Sequence, residues 1–400
     1  MVALGASETN GQQPRMKYQR SALLLVAGLA LLFAACSGSL PLSQPSASSS
    51  SSAEVLQPVA ASRLQHALDD ARIRSGTPGV SAAIIKDGKT LWLGGSGFAD
   101  IKTRKRISAN TLYPLASTTK MFVATTVLRL WELGRLGLDD PIRRYVPAYM
   151  PSTDRVRIRN LLGHTSGYRD VEYDPTIIKW LDDPNHIWRR EQILIRVKPV
   201  HFPPGSRFEY CNTNYVILGG IVERAAGASI GKTFDRLIID PLHLTNDAVF
   251  PRLPWAGPHI AHGYDSRGKL TDTFEGARLL GVPTGDWGVM WTDGGLAADA
   301  RGVARFTDAL FGGHILHPKT LATMLAPGPN GSYGLGTFHM RFDRHKWQGH
   351  DGFYYGFTTV AMYDLRRHVT IVVLTNLTDS ADPAYTIWYA LTRAYDRLAS

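Results

Sequence analysis

Between residues 60 and 100, apolar residues recur first at helical and then at strand spacing. From Ser62 to Ser75 they return every three or four positions, which predicts an amphipathic helix. Two apolar runs follow, at Gly79–Ile85 and Thr90–Gly97, and the polar residues Lys86–Lys89 between them contain Asp-Gly, a hairpin signal. The pattern predicts a helix followed by an antiparallel pair of strands.

The end of the chain shows the same elements in the opposite order. Apolar runs at Phe357–Tyr363 and His368–Asn376 predict a second hairpin, and amphipathic spacing over Pro383–Leu398 predicts a closing helix. Because segments that are adjacent in sequence usually lie side by side in space, the two ends together predict an antiparallel sheet flanked by helices.

The middle of the chain has few strand-like runs. Residues 139–300 have the pattern of loops and helices. We therefore predict an α/β (α+β) fold with a sheet subdomain, residues 60–138 and 301–400, and a mostly helical inserted subdomain, residues 139–300. Pockets tend to form between such parts, so we expect the functional site in the cleft between them.

The first 36 residues differ in composition from the rest. Lys17 and Arg20 precede an uncharged apolar run, Ser21–Ala35, that ends at Cys36. This run is too short for a comfortable membrane span and is typical of a signal peptide. Small residues directly before a cysteine resemble the bacterial lipoprotein box, in which the cysteine is lipidated. We predict a signal peptide over residues 1–36, lipidation at Cys36, export, and a lipid anchor at the outer face of the cytoplasmic membrane or in the envelope.

The leader leaves alternatives open. It is also compatible with an ordinary secretory signal or a short uncleaved anchor. Met16 opens a more usual signal sequence than Met1, so either residue is a candidate start. Residues 37–59 are rich in serine and proline and cannot bury enough apolar surface to fold, so we predict a flexible tether before a folded domain at residues 60–400.

Composition excludes several kinds of partner and site. The formal net charge of +10 is spread along the chain without a nucleic-acid-binding motif, so we expect no nucleic-acid partner. The chain has two cysteines, and if Cys36 carries lipid, Cys211 has no intramolecular partner and no disulfide framework forms. The histidines do not show the His-Glu-x-x-His spacing of a zinc site, and we expect neither a metal nor another cofactor.

The pattern Ser-x-x-Lys occurs three times and is a weak signal by itself. At Ser229–Lys232 and Ser266–Lys269 it lies among glycines and turn residues. At Ser117–Lys120 it precedes the apolar stretch Met121–Leu133, which is typical of a helix buried in a protein centre. Residues three apart share a helix face, so the amine lies beside the hydroxyl. Burial lowers the pKa of such an amine and lets it take the serine proton, which makes Ser117 the candidate nucleophile.

Another serine motif needs a different context. Gly227–Gly231 matches the Gly-x-Ser-x-Gly pattern of a nucleophile elbow, which requires a strand before it and a helix after it. The preceding run, Tyr215–Ala226, has helical spacing. We therefore interpret Gly227 as a break between two helices and reject the elbow.

Two further motifs follow Ser117. Tyr-x-Asn occurs once, at Tyr210–Asn212, and His-x-Gly occurs once, at His350–Gly352. Together with Lys120, they indicate a covalent hydrolase with a serine nucleophile, a lysine/tyrosine proton relay and a third wall of a substrate groove.

Several landmarks in a fixed order make the chain similar to one known family. They are Pro78–Gly88, Leu138–Pro141, Leu161–Gly167, Phe208–Tyr215, Gly294–Leu296 and Tyr333–Gly336. With the three motifs, they resemble the serine β-lactamase and penicillin-binding-protein-like hydrolases, specifically the branch related to class C β-lactamases. The resemblance covers about residues 60–398 and implies that the three motifs line one groove.

The resemblance also implies a role for each matching residue. Ser117 is implied to be the acylated nucleophile and Lys120 the partner that lowers its proton affinity. Tyr210 would pass protons to the leaving group and later activate water, and a tyrosine near two cations can be anionic well below its free pKa of about 10. Asn212 would hydrogen-bond a substrate carbonyl.

The third motif bears on the substrate. The implied oxyanion hole consists of the backbone N–H groups of Ser117 and Phe353, with Gly352 allowing a close approach to the ligand. His350 replaces the usual lysine, and Asp351 stands where threonine or serine is usual. In penicillin-recognising enzymes that cation and hydroxyl bind the substrate carboxylate, so a carboxylate aimed at the same place would repel it. We therefore expect neutral esters, or amides with a free amine, as substrates rather than β-lactams.

Three functions are compatible with these residues. We expect a lipid-anchored envelope serine hydrolase that acts through an acyl-enzyme on small ester, amide or peptide substrates. The alternative within the family is an active β-lactamase or D-alanyl-D-alanine carboxypeptidase, and the alternative outside the enzymes is a catalytically weak lipoprotein that binds ligands in the groove. The intact Ser117, Lys120 and Tyr210 favour an enzyme. We interpret His164 and Ser166 as scaffold residues of a turn.

Overall fold

A seven-stranded antiparallel sheet underlies the fold in a computed structural model that describes residues 58–181, 183, 186–244, 248–249, 260–271, 291–379 and 381–399. Its strands are β1 (Gly79–Lys86), β2 (Lys89–Asp100), β3 (Lys105–Arg106), β8 (Phe338–Phe342), β9 (His345–Tyr354), β10 (Phe357–Asp364) and β11 (Val369–Thr375). They lie side by side in the order β3-β2-β1-β11-β10-β9-β8. Five short strands lie outside this sheet: β4 (Tyr113–Pro114), β5 (Ala248–Val249), β6 (Tyr264–Asp265), β7 (Ala297–Ala298) and β12 (Leu377–Thr378).

The two hairpins predicted from the ends of the chain are both present. β1 pairs with β2, and β10 pairs with β11, in antiparallel register. The two hairpins join where β1 pairs with β11, from Val80 opposite Thr375 to Lys86 opposite Val369. The fold class predicted from the sequence is therefore confirmed, and the first and last parts of the domain form one sheet.

β9 was not recognised from the sequence, although it carries the His-x-Gly motif. It contains two glycines and several polar residues, which are poor indicators of a strand. Packing compensates for this composition, because Trp347 of β9 is completely buried against the closing helix through Trp388, with ring centroids 4.8 Å apart.

Helices cover both faces of the sheet. They are α1 (Pro58–Arg74), α2 (Thr119–Glu132), α3 (Ile158–Leu162), α4 (Pro175–Leu181), α5 (Arg190–Leu194), α6 (Asn212–Ala226), α7 (Ile230–Phe234), α8 (Ala300–Phe311), α9 (Pro318–Leu325) and α10 (Pro383–Ala399). The first and last helices, α1 and α10, share an apolar cluster with Ile84, Val360 and Ile371 on one face. The neighbouring strand residues Ala83, Ala361 and Val372 point to the other face, into the larger core that contains α2, α6 and α8.

The part of residues 139–300 that the structure describes consists of helices, loops and three two-residue strands. β4, β7 and β5 form a small separate sheet, and β6 pairs with β12. α6 ends at Gly227, whose φ of +64° is the left-handed conformation that favours glycine at a helix end, and α7 follows. The predicted helix break is confirmed, and no strand precedes Ser229 in this described stretch.

Among the described helices, none combines the length and apolar character that spanning a membrane requires. The predicted signal peptide, Cys36 and nearly all of the predicted tether lie outside the described residues.

Candidate active site

Ser117 lies in a short 3-10 turn, Ala116–Thr118, directly before α2. The α-helix therefore begins at Thr119, two residues later than the sequence suggested. Ala116 has a φ of +47°, which is uncommon for a residue other than glycine. The turn leaves Ser117 half-buried, between fully buried neighbours on either side. The Ser117 hydroxyl is thus carried by a turn whose neighbouring residues are packed in the protein interior.

The other two Ser-x-x-Lys patterns have different surroundings. Ser229 caps α7, and its Oγ accepts a hydrogen bond from the backbone N–H of Lys232 at 3.4 Å. Ser266 lies in the turn after β6, where Asp265 accepts from the backbone of Lys269 at 2.9 Å. Neither serine has a lysine amine as a recorded hydrogen-bond partner, whereas Ser117 does.

Lys120 is completely buried in the first turn of α2 and has three hydrogen-bond partners. Its Nζ lies 3.0 Å from Ser117 Oγ, 2.8 Å from Asn212 Oδ1 and 2.6 Å from the backbone oxygen of Asp293. Burial lowers the pKa of Lys120, and the nearby carboxyl groups oppose this shift. The amide oxygen and the carbonyl oxygen can only accept, so the amine donates to both, and its third position faces the Ser117 hydroxyl with an N–H in the ammonium or the lone pair in the neutral amine.

Three carboxyl groups surround this amine. Asp170 Oδ2 accepts from the backbone N–H of Asn212 at 2.7 Å, Glu172 Oε2 accepts from Asn212 Nδ2 at 3.0 Å, and Asp293 Oδ1 accepts from the backbone N–H of Trp291 at 2.9 Å. Burial raises the pKa of all three groups, and Lys120 acts in the opposite direction. The charge of each carboxyl group therefore depends on the charge of Lys120.

Sequence reasoning missed these three residues. Asp170 and Glu172 follow the Thr-Ser-Gly turn, and Asp293 directly precedes the Gly294–Leu296 landmark, but no motif links the two segments. The only indication in the sequence was that these three residues lie next to the recognised landmarks. The fold brings them together on either side of Asn212.

Tyr210 extends over the same site. The Lys120 Nζ lies 5.1 Å from the centroid of its ring. Its hydroxyl is buried and has no hydrogen bond of normal geometry to any described residue. Burial raises the pKa of Tyr210 well above 10, and the adjacent Ser117 side chain only partly opposes this shift. The expectation that Tyr210 is anionic is therefore wrong for this arrangement, and the ring is a neutral phenol.

Asn212 is the first residue of α6, and both of its polar side-chain atoms contact the protein. Its oxygen accepts from Lys120, and its nitrogen donates to Glu172. An amide nitrogen carries two hydrogens, so one N–H remains for a substrate carbonyl. The predicted substrate-binding role of Asn212 thus stays a prediction that the geometry permits.

His350 does not supply a cation to the groove. It is completely buried, with its Nδ1 2.5 Å from the backbone oxygen of Asp351 and its Nε2 3.1 Å from the hydroxyl of Tyr333. The carbonyl can only accept, so Nδ1 carries the proton and Nε2 accepts from the tyrosine. Burial, with a smaller contribution from Lys120, lowers the pKa of His350 to about 3. The second cation that we expected beside Tyr210 is absent at this position.

Asp351 points away from the nucleophile. It pairs with Val360, which belongs to the apolar cluster shared with α1 and α10, and paired residues of antiparallel strands project to the same face. Burial and the Asp382 carboxylate raise the pKa of Asp351 to about 7, and a hydrogen bond with Tyr385 partly opposes this. The expectation that this carboxylate faces and repels a substrate carboxylate is therefore wrong.

Gly352 brings β9 against the turn that carries Ser117. A Cβ atom at this position would lie 2.2 Å from the backbone oxygen of Leu115 and 3.1 Å from the Cβ of Ala116. The glycine is thus required by a contact between backbone segments, and not only by the ligand approach that the sequence suggested.

Phe353 lies in the part of β9 that extends beyond the residues paired with β8. In the described structure β8 pairs with β9 only as far as Gly349, while β10 pairs along the opposite edge. The Phe353 side chain is exposed. The role of its backbone N–H in an oxyanion hole stays a prediction.

Among the described side chains, no group of three or more His, Cys, Asp or Glu residues converges as a metal site would require. Cys211 is a buried free thiol next to Tyr210.

Comparisons with known proteins match the chain to one family model and to several relatives. A family model described as Beta-lactamase matches residues 61–395. Protein flp from Staphylococcus aureus (strain COL) is 32% identical over 197 residues, which cover 48% of this chain and 39% of flp. D-aminopeptidase from Brucella anthropi is 32% identical over 178 residues, which cover 44% of this chain and 33% of that protein. The matches thus span well under half of these two relatives.

One solved structure is similar to this chain over a larger share of the length of both chains. The crystal structure of D-amino acid amidase from Ochrobactrum anthropi SV3, complexed with L-phenylalanine amide, superimposes with a TM-score of 0.72 at 26% sequence identity. The match covers 86% of this chain and 100% of the amidase.

Proposed function

The chain belongs to the beta-lactamase family, and from that premise we propose that it is a serine hydrolase in which Ser117 forms an acyl-enzyme with a small ester or amide. The observation that carries the proposal is the contact between the buried Lys120 amine and Ser117 Oγ at 3.0 Å. A lysine in that place, with its pKa lowered by burial, is a general base for a serine nucleophile.

The first step uses the two acceptors around Lys120. Asn212 Oδ1 and the Asp293 carbonyl oxygen take the two N–H bonds of the neutral amine, and the lone pair takes the Ser117 proton as Oγ attacks the substrate carbonyl carbon. The negative charge that develops on the substrate oxygen would be stabilised by the backbone N–H groups of Ser117 and Phe353.

Tyr210 supplies the proton that the leaving group needs. It is a neutral phenol, so it gives its proton to the leaving alcohol or amine as the bond to the carbonyl carbon breaks. The resulting phenolate recovers a proton from the Lys120 ammonium, which lies under its ring. Water then attacks the acyl-enzyme, its proton returns to Ser117 by the same residues, and the acid product leaves.

For the substrate, we propose amides of amino acids that carry a free amine. Burial raises the pKa of Glu172, but a protonated substrate amine beside it would act in the opposite direction, as Lys120 does, so the carboxyl group can pair with that amine while Asn212 holds the carbonyl. The names D-aminopeptidase and D-amino acid amidase, borne by two relatives, agree with this substrate class and favour the D-enantiomer.

The rival functions have less support. A β-lactamase or D-alanyl-D-alanine carboxypeptidase binds a substrate carboxylate through the third motif, but His350 is neutral and enclosed, and Asp351 turns toward α10. A groove that only binds ligands does not need a lysine amine directed at a serine hydroxyl.

We also propose that the protein is exported and anchored by lipid at Cys36. Support for this proposal comes from the basic residues, the apolar run and the cysteine of the leader.

A labelling experiment followed by a substrate panel tests the function. A fluorophosphonate probe should add one adduct at Ser117, located by peptide mass spectrometry. The panel compares p-nitrophenyl esters, D- and L-amino acid amides, and nitrocefin on the purified protein. No adduct and no turnover would favour the groove-binding alternative, and nitrocefin hydrolysis above that of the best ester or amide would favour the β-lactamase.

A further inference from the structure

His164 touches the chain on both sides of Tyr210. It follows α3 in a left-handed conformation, with a φ of +53°, and it is completely buried. Its backbone oxygen accepts from the N–H of Glu209 at 2.8 Å, and its Nδ1 accepts from the N–H of Cys211 at 3.1 Å. One residue therefore fixes the backbone immediately before and immediately after the proposed proton donor.

The imidazole ring of His164 also lies under the phenol ring of Tyr210. The two ring centroids are 4.2 Å apart and the planes are inclined by 27°, which is a stacked arrangement. The rings of Tyr215 and Tyr333 enclose the imidazole from other directions, at 5.2 and 5.0 Å. The imidazole is thus held in place on several sides.

The hydrogen bonds define the tautomer of this ring. Nδ1 accepts from Cys211 and lies 3.3 Å from the side-chain nitrogen of Asn214, so it carries no proton. Nε2 therefore carries the proton, and it is buried without a hydrogen-bond partner among the described residues. Burial lowers the pKa of His164 well below 6.5, and protonation of Lys120 or His350 would lower it further, which keeps the ring neutral.

Among the described aromatic rings, His164 makes the shortest contact with Tyr210, since the centroids of Tyr333, Phe338 and His350 lie 6.3 to 6.4 Å away. Because the Tyr210 hydroxyl makes no hydrogen bond of normal geometry to a described residue, the direction of the phenol depends on ring packing and on the backbone at residues 209–211. We propose that His164, which supplies the stacked ring and both flanking backbone hydrogen bonds, is a positioning residue that aims the Tyr210 hydroxyl at Ser117. This inference rests on the proposed function, and it gives a conformational role to a residue that the sequence marked only as scaffold.

Two variants separate the ring from the backbone contacts. His164→Asn keeps a side-chain oxygen that can accept from Cys211 and tolerates a positive φ, but it removes the stack. His164→Phe keeps a ring and removes the acceptor. If the ring positions Tyr210, His164→Asn should be the more stable of the two by thermal unfolding and yet the slower one. Its kcat should fall about 10- to 100-fold with KM nearly unchanged, because a misplacement of about 1 Å costs on the order of 100-fold.

Ser166→Ala is the matched control. Ser166 is buried in the same turn, and its hydroxyl donates to Asn214 Oδ1 at 2.6 Å, but no contact with Tyr210 is recorded. It should lower stability and leave kcat unchanged. A crystal structure of His164→Asn should show the Tyr210 hydroxyl displaced from Ser117. This measurement does not require enzyme activity, and it does not require that His164→Phe folds.

The outcomes distinguish this inference from the proposed function. Wild-type protein that takes no fluorophosphonate adduct at Ser117 would overturn the function. If the wild type is labelled but His164→Asn keeps the wild-type kcat, only the role of His164 is overturned. The same holds if the crystal structure of His164→Asn shows Tyr210 in its original position. A His164→Asn variant that is more stable but slower than His164→Phe would support the role of His164.

Discussion

The side-chain oxygen of Asn212 accepts a hydrogen bond from Lys120 Nζ at 2.8 Å. The nitrogen of the same side chain donates to Glu172 at 3.0 Å. Asn212 therefore links the amine beside the proposed nucleophile to a carboxyl group in the groove. A change at either end of this link should alter catalysis in a different way.

Ser117→Ala should abolish covalent labelling and turnover while the protein stays folded, because only a half-buried hydroxyl is removed. Loss of a serine nucleophile lowers rates by up to about 10⁶-fold in a well-studied hydrolase. Labelling and ester hydrolysis are the measurements, with Ser229→Ala as the control that keeps full activity. An active Ser117→Ala protein would contradict the assignment of the nucleophile.

Lys120→Arg should place a permanent positive charge beside the acidic groups and lose activity. A guanidinium cannot give up a proton in a protein, so it cannot take the Ser117 proton, and we expect a loss of about 100-fold or more in the labelling rate. Lys120→Met removes the proton-accepting amine without adding a larger side chain and should be equally slow. Rapid labelling of either variant would show that Lys120 is not the general base.

Glu172→Gln should change substrate preference more than general activity. The amide oxygen still accepts from Asn212, but it no longer attracts a protonated amine. The ratio of kcat/KM for amino acid amides to that for neutral esters should fall by about tenfold or more, the equivalent of ~1.4 kcal/mol for a lost charged contact. Glu191→Gln, at an exposed acidic residue of α5, is the control. An unchanged ratio would remove Glu172 from amine recognition.

Asp351→Asn should raise stability at pH 8 and have a smaller effect at pH 4. The folded state raises the pKa of this carboxyl from 3.8 to about 7, so it binds the proton more tightly than the unfolded chain does, and stability falls as pH rises from about 4 to 7. The full shift corresponds to at most about 4 kcal/mol. Chemical unfolding at both pH values measures this effect, with the more exposed Asp343→Asn as the control.

The same Asp351→Asn variant tests where the carboxyl group points. Because the side chain turns toward α10, the ratio of nitrocefin to ester turnover should stay unchanged. A rise in that ratio would show that the carboxylate acts on the groove after all.

Cys36→Ala should release the protein from membranes or leave an unprocessed precursor. Acyl chains supply membrane affinity at about 0.8 kcal/mol per buried CH₂ group. Mass spectrometry of the mature N-terminus is the direct measurement. A product cleaved elsewhere, with an unmodified Cys36, would exclude the lipoprotein.

Local patterns in the sequence determined the two hairpins of the main sheet and the place of the candidate nucleophile. The apolar runs of β1, β2, β10 and β11 identified the two hairpins, because period and turn residues are local properties. The spacing of Ser117 and Lys120 placed the amine beside the hydroxyl, because residues three apart in a helical segment share a face even where the first turn is a 3-10 turn.

The charge states and the directions of the side chains were decided only by the tertiary structure. Alternation along a strand would have predicted opposite directions for His350 and Asp351, but β9 was not recognised as a strand, and its pairing with β10 sets the face. Burial by distant segments keeps His350 and Tyr210 neutral, and a pKa depends on that burial rather than on neighbours in sequence. For the same reason Asp170, Glu172 and Asp293 meet around Lys120 only in the folded chain, because contacts over long sequence separations leave no local pattern.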